Sequence, residues 1–169
     1  MKKKINITGY ANQIIKAIPE GVLLNTKADK FDTMIIGWGA LGTNWGVPCF
    51  TAYVRKSRFT REQLDKNPEF TVSVPLNGSI KKIFDVCGSK SGRDIDKVKE
   101  AGLTLEEPET NGVPGIKEYP LTLECRLRYR QEQELSLYDD EAKDSFYKTS
   151  ENDTHITYIG EIVDAYIIE

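Results

Sequence analysis

Arg55, Ser57, Arg58 and Thr60 put two guanidinium groups and two hydroxyls into one short stretch. Such a set can cradle a phosphate, because a dianionic ester needs charge-assisted donors as well as amides. The stretch lies where a helix is expected to begin, and the first N–H groups of a helix are unpaired at the positive end of its dipole. Upstream, Gly37-Trp38-Gly39 sets a large aromatic between two glycines. Glycine lets a flat group approach the backbone, since no Cβ stands in the way, and the indole offers stacking area. A flat group at one end and a phosphate at the other describe a nucleotide-like cofactor. Downstream, Cys87-Gly88-Ser89 followed by Ser91, Arg93 and Asp94 resembles a second loop for an anion or a ring edge. The sole histidine, His155, stands at the mouth of the last expected strand.

Each feature also has a structural reading. Arg55 to Thr60 could be a solvated loop with a threonine cap. Trp38 could be a core side chain at a strand bend with a glycine bulge. The Cys87 stretch could be a helix cap beside a small buried thiol. A lone histidine is more often structural than catalytic, and nothing in the sequence brings His155 to Cys87.

The elements that must position these residues are mostly strands. Gly21 to Thr26 and Thr33 to Ile36 flank a short polar link and predict an antiparallel hairpin. A turn at Gly37 to Gly39 and a glycine-rich loop then lead to a strand over Pro48 to Val54. Thr60-Arg61-Glu62-Gln63 reads as a capping box that opens a short helix ending before Pro68. Glu69 to Val74 alternates as a half-buried strand, and Ser79 to Val86 has helical spacing. Ser91 and Asp94 predict a second capped helix running to Ala101, with Gly102 past its end. Leu121 to Arg130 alternates apolar and polar, predicting one dry and one wet face. Ile156 to Ile168 is apolar on both faces, as a central strand is. Gly9 to Ile18 reads as a short lead-in stopped by Pro19. Residues 103–115 and 138–154 read as loops, the second partly helical. Strands without regular βαβ alternation point to a closed or partly closed antiparallel barrel.

Composition narrows the function classes. The 169 residues suit one domain, 1–169, with 39% apolar and 29% charged residues, as in an ordered globular chain. A net charge of −3 argues against a general nucleic-acid binder. No run approaches the ~20 apolar residues of a membrane span. Three widely spaced cysteines without a Cys/His cluster offer no zinc or iron–sulfur ligand set, so no metal site is expected. Reduced thiols suit a cytoplasmic protein.

Taken together, four motifs resemble the flavin reductase-like, FMN-binding split-barrel family, in particular its small flavoredoxin-like members. They are Thr33-Met34-Ile35-Ile36-Gly37-Trp38-Gly39; Arg55-x-Ser57-Arg58-x-Thr60; Cys87-Gly88-x-x-Ser91-Gly92-Arg93-Asp94-x-Asp96-Lys97; and His155-x-x-Tyr158-Ile159-Gly160-Glu161-Ile162. The resemblance runs from about Gly21 onward. It implies a mainly β protein with short helices: a split β-barrel with Greek-key connections, working as a homodimer with FMN near the subunit interface. Thr33, Gly37, Trp38 and Gly39 would lie along the isoalloxazine. Arg55, Ser57, Arg58 and Thr60 would hold the phosphate and ribityl chain. Cys87, Gly88 and Ser89 would lie near the ring, braced by Ser91, Arg93 and Asp94. His155 and Cys87 would be the ring neighbours that tune potential or bind substrate. The implied activity is hydride transfer from NADH or NADPH to flavin, with electrons passed to a small-molecule or protein acceptor. The alternative is an FMN-bound carrier relaying electrons between proteins. Pyridoxal phosphate or haem are other planar ligands for such a pocket.

Overall fold

A computed structural model describes residues 1–169. The chain runs β1 (Lys2–Lys4), α1 (Ile7–Ala17), β2 (Val22–Lys27), β3 (Phe31–Ile36), β4 (Gly39–Asn44), β5 (Val47–Arg55), α2 (Phe59–Lys66) and β6 (Glu69–Val74). It continues with α3 (Lys81–Ser89), α4 (Lys97–Ala101), β7 (Leu105–Glu106), β8 (Gly115–Ile116), β9 (Leu121–Glu132), α5 (Asp140–Phe146) and β10 (His155–Ile168). The main sheet is antiparallel, in the order β3-β2-β6-β9-β10-β5-β4, with β1 on β10.

This order carries the architecture. β3 and β4 are the two ends of the sheet, yet only Gly37 and Trp38 separate them in the chain. Three peptide steps span at most about 10 Å. The sheet must therefore roll until its ends nearly meet, which is a barrel with a split between β3 and β4. The connections that skip strands, β5 to β6 above all, are of the Greek-key kind. The fold is mainly β with short helices, as the sequence implied. Its interior is a single apolar cluster that includes Leu24, Phe50, Val54, Phe70, Val72, Leu123 and Tyr158. A second cluster, with Leu23, Ile83, Cys87, Leu103 and Tyr119, seats α3 and α4 on the outside of β2 and β3.

Several local expectations are corrected. The segment after Gly39 is not a loop but β4, which pairs with β5 through a two-residue turn at Trp45 and Gly46. Both turn residues have positive φ, 51° and 76°, as a right-twisted hairpin needs. The lead-in is a full helix, α1, capped by the Asn6 side chain on the Thr8 amide. Thr60 is not a cap. α2 starts one residue before it, Thr60 is buried in the first turn, and Gln63 turns away to bond the Ala28 amide and the Lys30 carbonyl. Cys87, Gly88 and Ser89 are the last turn of α3 rather than a loop. Ser91 and Asp94 form a turn, and the helix that follows is capped by Asp96 on the Lys99 amide. Gly102 ends that helix with φ 75°, as expected.

The polar face of β9 is only half wet. Thr122 and Glu124 are fully buried. Glu124 accepts the amides of Glu109 (2.6 Å), Thr110 (2.8 Å) and Asn111 (2.8 Å), so the 103–115 segment is pinned against the sheet by a buried carboxylate. No helix is long and apolar enough to cross a membrane.

Candidate functional site

Two adjoining cavities open at the split. The first, of ≈ 220 Å³, is walled by Met34, Ile35, Trp38, Tyr53, Phe146 and His155, with Arg55 and Arg58 at its edge. The second, of ≈ 100 Å³, is cationic and lies between α2 and α3. Arg58, Lys90, Arg93 and Lys97 line it with Thr60, Ser91 and the buried carboxylate of Asp32. The two share Met34, Ile35 and Arg58, so they form one channel with an aromatic end and a basic end. A wider cleft of ≈ 640 Å³ lies on the other side of Trp38, against Ile15, Leu41, Tyr53, Tyr138 and Tyr147.

Arg58 is the hinge of the channel. Its side chain carries no hydrogen bond or ion pair to any other residue, and it borders both cavities. Burial lowers the basicity of His155 and of Lys97, and the charge of Arg58 adds a smaller push in the same direction at both ends. Arg55 and Ser57, by contrast, are engaged. Arg55 donates to Ser150 Oγ (3.1 Å) and to the carbonyls of Asp153 (2.9 Å) and Phe146 (3.0 Å). The Ser57 amide and hydroxyl both donate to the Asp153 carboxylate, at 2.8 and 2.7 Å. An internal anion thus sits on two donors of the expected cradle. Arg93 pairs with Glu62 and with the Ser57 carbonyl.

Beneath the cationic cavity, Lys97 is 6% exposed and donates to the Thr33 carbonyl at 2.8 Å. Its ammonium is 4.0 Å from Asp32 Oδ1. Burial raises the Asp32 carboxyl and lowers the Lys97 ammonium, each only partly offset by the other's charge. Asp32 Oδ2 has no hydrogen-bond partner. Gly92 leaves room for it: a Cβ there would stand 2.0 Å from Asp32 Oδ1.

The expected site residues separate by position. Gly37, Trp38, Arg55, Arg58 and His155 meet at the aromatic cavity. Ser57, Arg58, Thr60, Cys87, Gly88, Ser91 and Arg93 meet at the basic one. Gly39 faces the wider cleft and Ser89 the outer end of α3. The Thr33 hydroxyl turns inward to Asn25 at 2.7 Å, and the Asp94 side chain is exposed. Cys87 and His155 line different cavities. Burial pushes the Cys87 thiol up to about 11, the opposite of a reactive thiolate. Burial, then Arg55, hold His155 down to about 4, so its ring is neutral at pH 7. Trp38 packs against it with ring centroids 4.8 Å apart.

Asp32, Lys97, Tyr53, Phe146, Tyr147 and Asp153 were not singled out from the sequence. Lys97 closes the Cys87–Lys97 motif, whose pattern gives it no role. The others carry no local signal, because strand order and the 138–154 segment bring them in.

The family model described as flavin reductase like domain matches residues 15–169. Among solved structures, flavoredoxin from Methanosarcina acetivorans is 29% identical with a TM-score of 0.68, covering 88% of this chain and 68% of that one. Flavoredoxin of Desulfovibrio vulgaris (Miyazaki F) is 24% identical with a TM-score of 0.66, covering 88% and 69%. Nitrilotriacetate monooxygenase component B from Bacillus cereus shares the fold at a TM-score of 0.69 and 17% identity, covering 98% and 78%. An uncharacterised protein of Archaeoglobus fulgidus is 37% identical over 71 residues, which is 42% of this chain and 40% of that protein. The rolled sheet, the channel at its split and the match over residues 15–169 lead to one conclusion: the chain belongs to the flavin reductase-like domain family.

Proposed function

We propose that the chain binds FMN along the channel and acts as a flavin reductase-type oxidoreductase using NADH or NADPH. The observation that carries this reading is Arg58, an unpaired guanidinium between an aromatic cavity and a basic one. The residues fit the cofactor part by part. A dianionic phosphate suits Arg58, Lys97 and Ser91 at the basic end. The orphaned Oδ2 of Asp32 is a buried acceptor for a hydroxyl of the ribityl chain. Met34, Ile35, Trp38 and His155 offer apolar and aromatic faces to the ring.

When bound, FMN would supply a ring nitrogen that accepts hydride. The protein's own part is to hold the ring's edge against Gly37 and Trp38, neutralise the phosphate and keep His155 uncharged beside it. The wider cleft shares Gly37, Trp38 and Tyr53 with the ring cavity, so a second molecule has room beside the ring's edge, which favours a reductase over a sealed electron carrier. The likeness to the flavoredoxin of Methanosarcina acetivorans supports flavin chemistry without choosing between the two.

Stopped-flow mixing of the FMN-loaded protein with NADH and with NADPH tests the reading. Bleaching of the flavin band with either is expected. No bleaching with both, in protein that does bind FMN, leaves the carrier role. We further infer a homodimer in a reducing, cytoplasmic setting. Its support is the exposure of Trp45, Leu137 and Phe146, and three free thiols. Light scattering at micromolar concentration checks the dimer.

A further inference from the structure

Gln133, Tyr138, Tyr147 and His155 form an unbranched hydrogen-bond chain between the two sides of Trp38. His155 Nδ1 is 2.6 Å from the Tyr147 hydroxyl, and Tyr147 is buried. The Tyr147 hydroxyl is 3.2 Å from that of Tyr138. Tyr138 donates to Gln133 Oε1, and Gln133 Nε2 donates to Thr157 Oγ1 at 3.1 Å. The ends are tied by backbone as well, with the Gln133 amide on the His155 carbonyl at 2.9 Å.

Proton counting gives the chain a direction. Each phenol has one proton to donate, and an amide oxygen only accepts. With the Gln133 oxygen turned to Tyr138 and its Nε2 turned to Thr157, the Tyr138 proton goes to Gln133. The contact between the two tyrosines must therefore use the Tyr147 proton. Tyr147 has none left for His155, so its oxygen accepts and the shared proton belongs to Nδ1. Every member is satisfied in this arrangement, as a buried polar network requires. The other ring nitrogen, Nε2, has no protein partner and is not sealed from solvent, and the ring lines the aromatic cavity.

We infer that this chain locks His155 as the Nδ1–H tautomer, and that the bare Nε2 is a specificity-determining acceptor for a flat ligand bearing an N–H or O–H donor. Tyr147, Tyr138 and Gln133 are positioning residues that act through the imidazole. Burial is the main reason the ring stays neutral; of the charged groups facing it, Arg55 and, less strongly, Arg58 oppose a proton there and Asp153 favours one. A primary carboxamide or a phenol can donate to Nε2. A ligand edge with only carbonyl or carboxylate oxygen would set lone pair against lone pair and is disfavoured. The ligand half of this inference rests on the proposed reading of the cavity; the tautomer half does not.

The sole histidine makes the test direct. Long-range nitrogen–proton NMR on the full chain, without and with FMN, identifies which ring nitrogen carries the proton. Nδ1–H is expected in both. In Tyr138→Phe the Tyr147 proton has only Nδ1 to go to, so the ring should switch to Nε2–H. A wild-type Nε2–H ring, or a tautomer unmoved in Tyr138→Phe, overturns the lock. The acceptor role is read by titrating phenol and the isosteric fluorobenzene against the His155 signals. The phenol-to-fluorobenzene affinity ratio should fall at least about fivefold in Tyr138→Phe. An unchanged ratio refutes the acceptor role. Neither outcome depends on FMN binding, so failure of the proposed function shows separately, as absent flavin uptake.

Discussion

Arg58 lies where the two cavities join and Trp38 walls the aromatic one, so substitution at these positions reads the site one side chain at a time. Arg58→Ala should weaken FMN binding by about 2–3 kcal/mol, the scale of a lost charge-assisted contact, in a flavin-fluorescence titration. Trp38→Ala should change the fluorescence of bound flavin, because the indole wall of the ring cavity is removed. His155 makes a pH prediction. Its ring is held down to about 4 in the fold, against about 6.5 in an unfolded chain. The unfolded state therefore binds the proton first as pH falls. The histidine's contribution to stability is complete above about pH 6.5 and is lost toward pH 4, by up to about 3 kcal/mol. Denaturant midpoints of wild type and His155→Gln should diverge above that window and converge below it. Trp38 and His155 were legible in the sequence as rare types, and Arg58 by the second guanidinium and the two hydroxyls close to it. Asp32 and Lys97 were not. A carboxylate on an apolar strand and a lysine opening a helix look solvated until the fold buries both.

The segment from α5 to β10 governs access to the basic end. Asp153 places its carboxylate on the amide and hydroxyl of Ser57, and the neighbouring carbonyls hold Arg55. A phosphate that used Ser57 would have to displace a group of its own charge. Asp153→Asn should therefore bind FMN about fivefold tighter, as calorimetry would show; equal or weaker binding would mean that the ester never reaches Ser57. Element-level reading of the sequence succeeded for β2 and β3, joined by a short polar link, for β6 and β9, which alternate with the sheet's period, and for β10, apolar on both faces as a central strand is. It failed at helix starts. Thr60 and Ser91 each have a partner at capping distance in sequence, but Gln63 bonds the β2–β3 link and Asp96 offers the better cap. It also missed β4. Gly39-Ala40-Leu41-Gly42 lacks β-branched residues and forms a strand only because β5 pairs with it.

The whole molecule is a sheet rolled until its first and last strands share the bend at Trp38. Gly160 is one condition for that roll. It sits at a register shift between β10 and β9, and a Cβ there would meet Phe70 Cζ at 2.5 Å and Cys125 Cβ at 3.1 Å. Gly160→Ala should cost about 1–3 kcal/mol in chemical denaturation, because the core must give way around the added methyl. The barrel class was readable from strands without regular βαβ alternation and from short links. The channel was not, since it exists only where β3, β5, α2, α3 and the 138–154 segment converge. Its polarity, aromatic at Trp38 and basic beyond Arg58, is the centre of the account, and parallel calorimetric titrations with FMN and riboflavin test it most directly. The account predicts one FMN per chain and riboflavin at least about a hundredfold weaker, the worth of the phosphate contacts. Equal affinity for the two, or no binding of FMN, would contradict it.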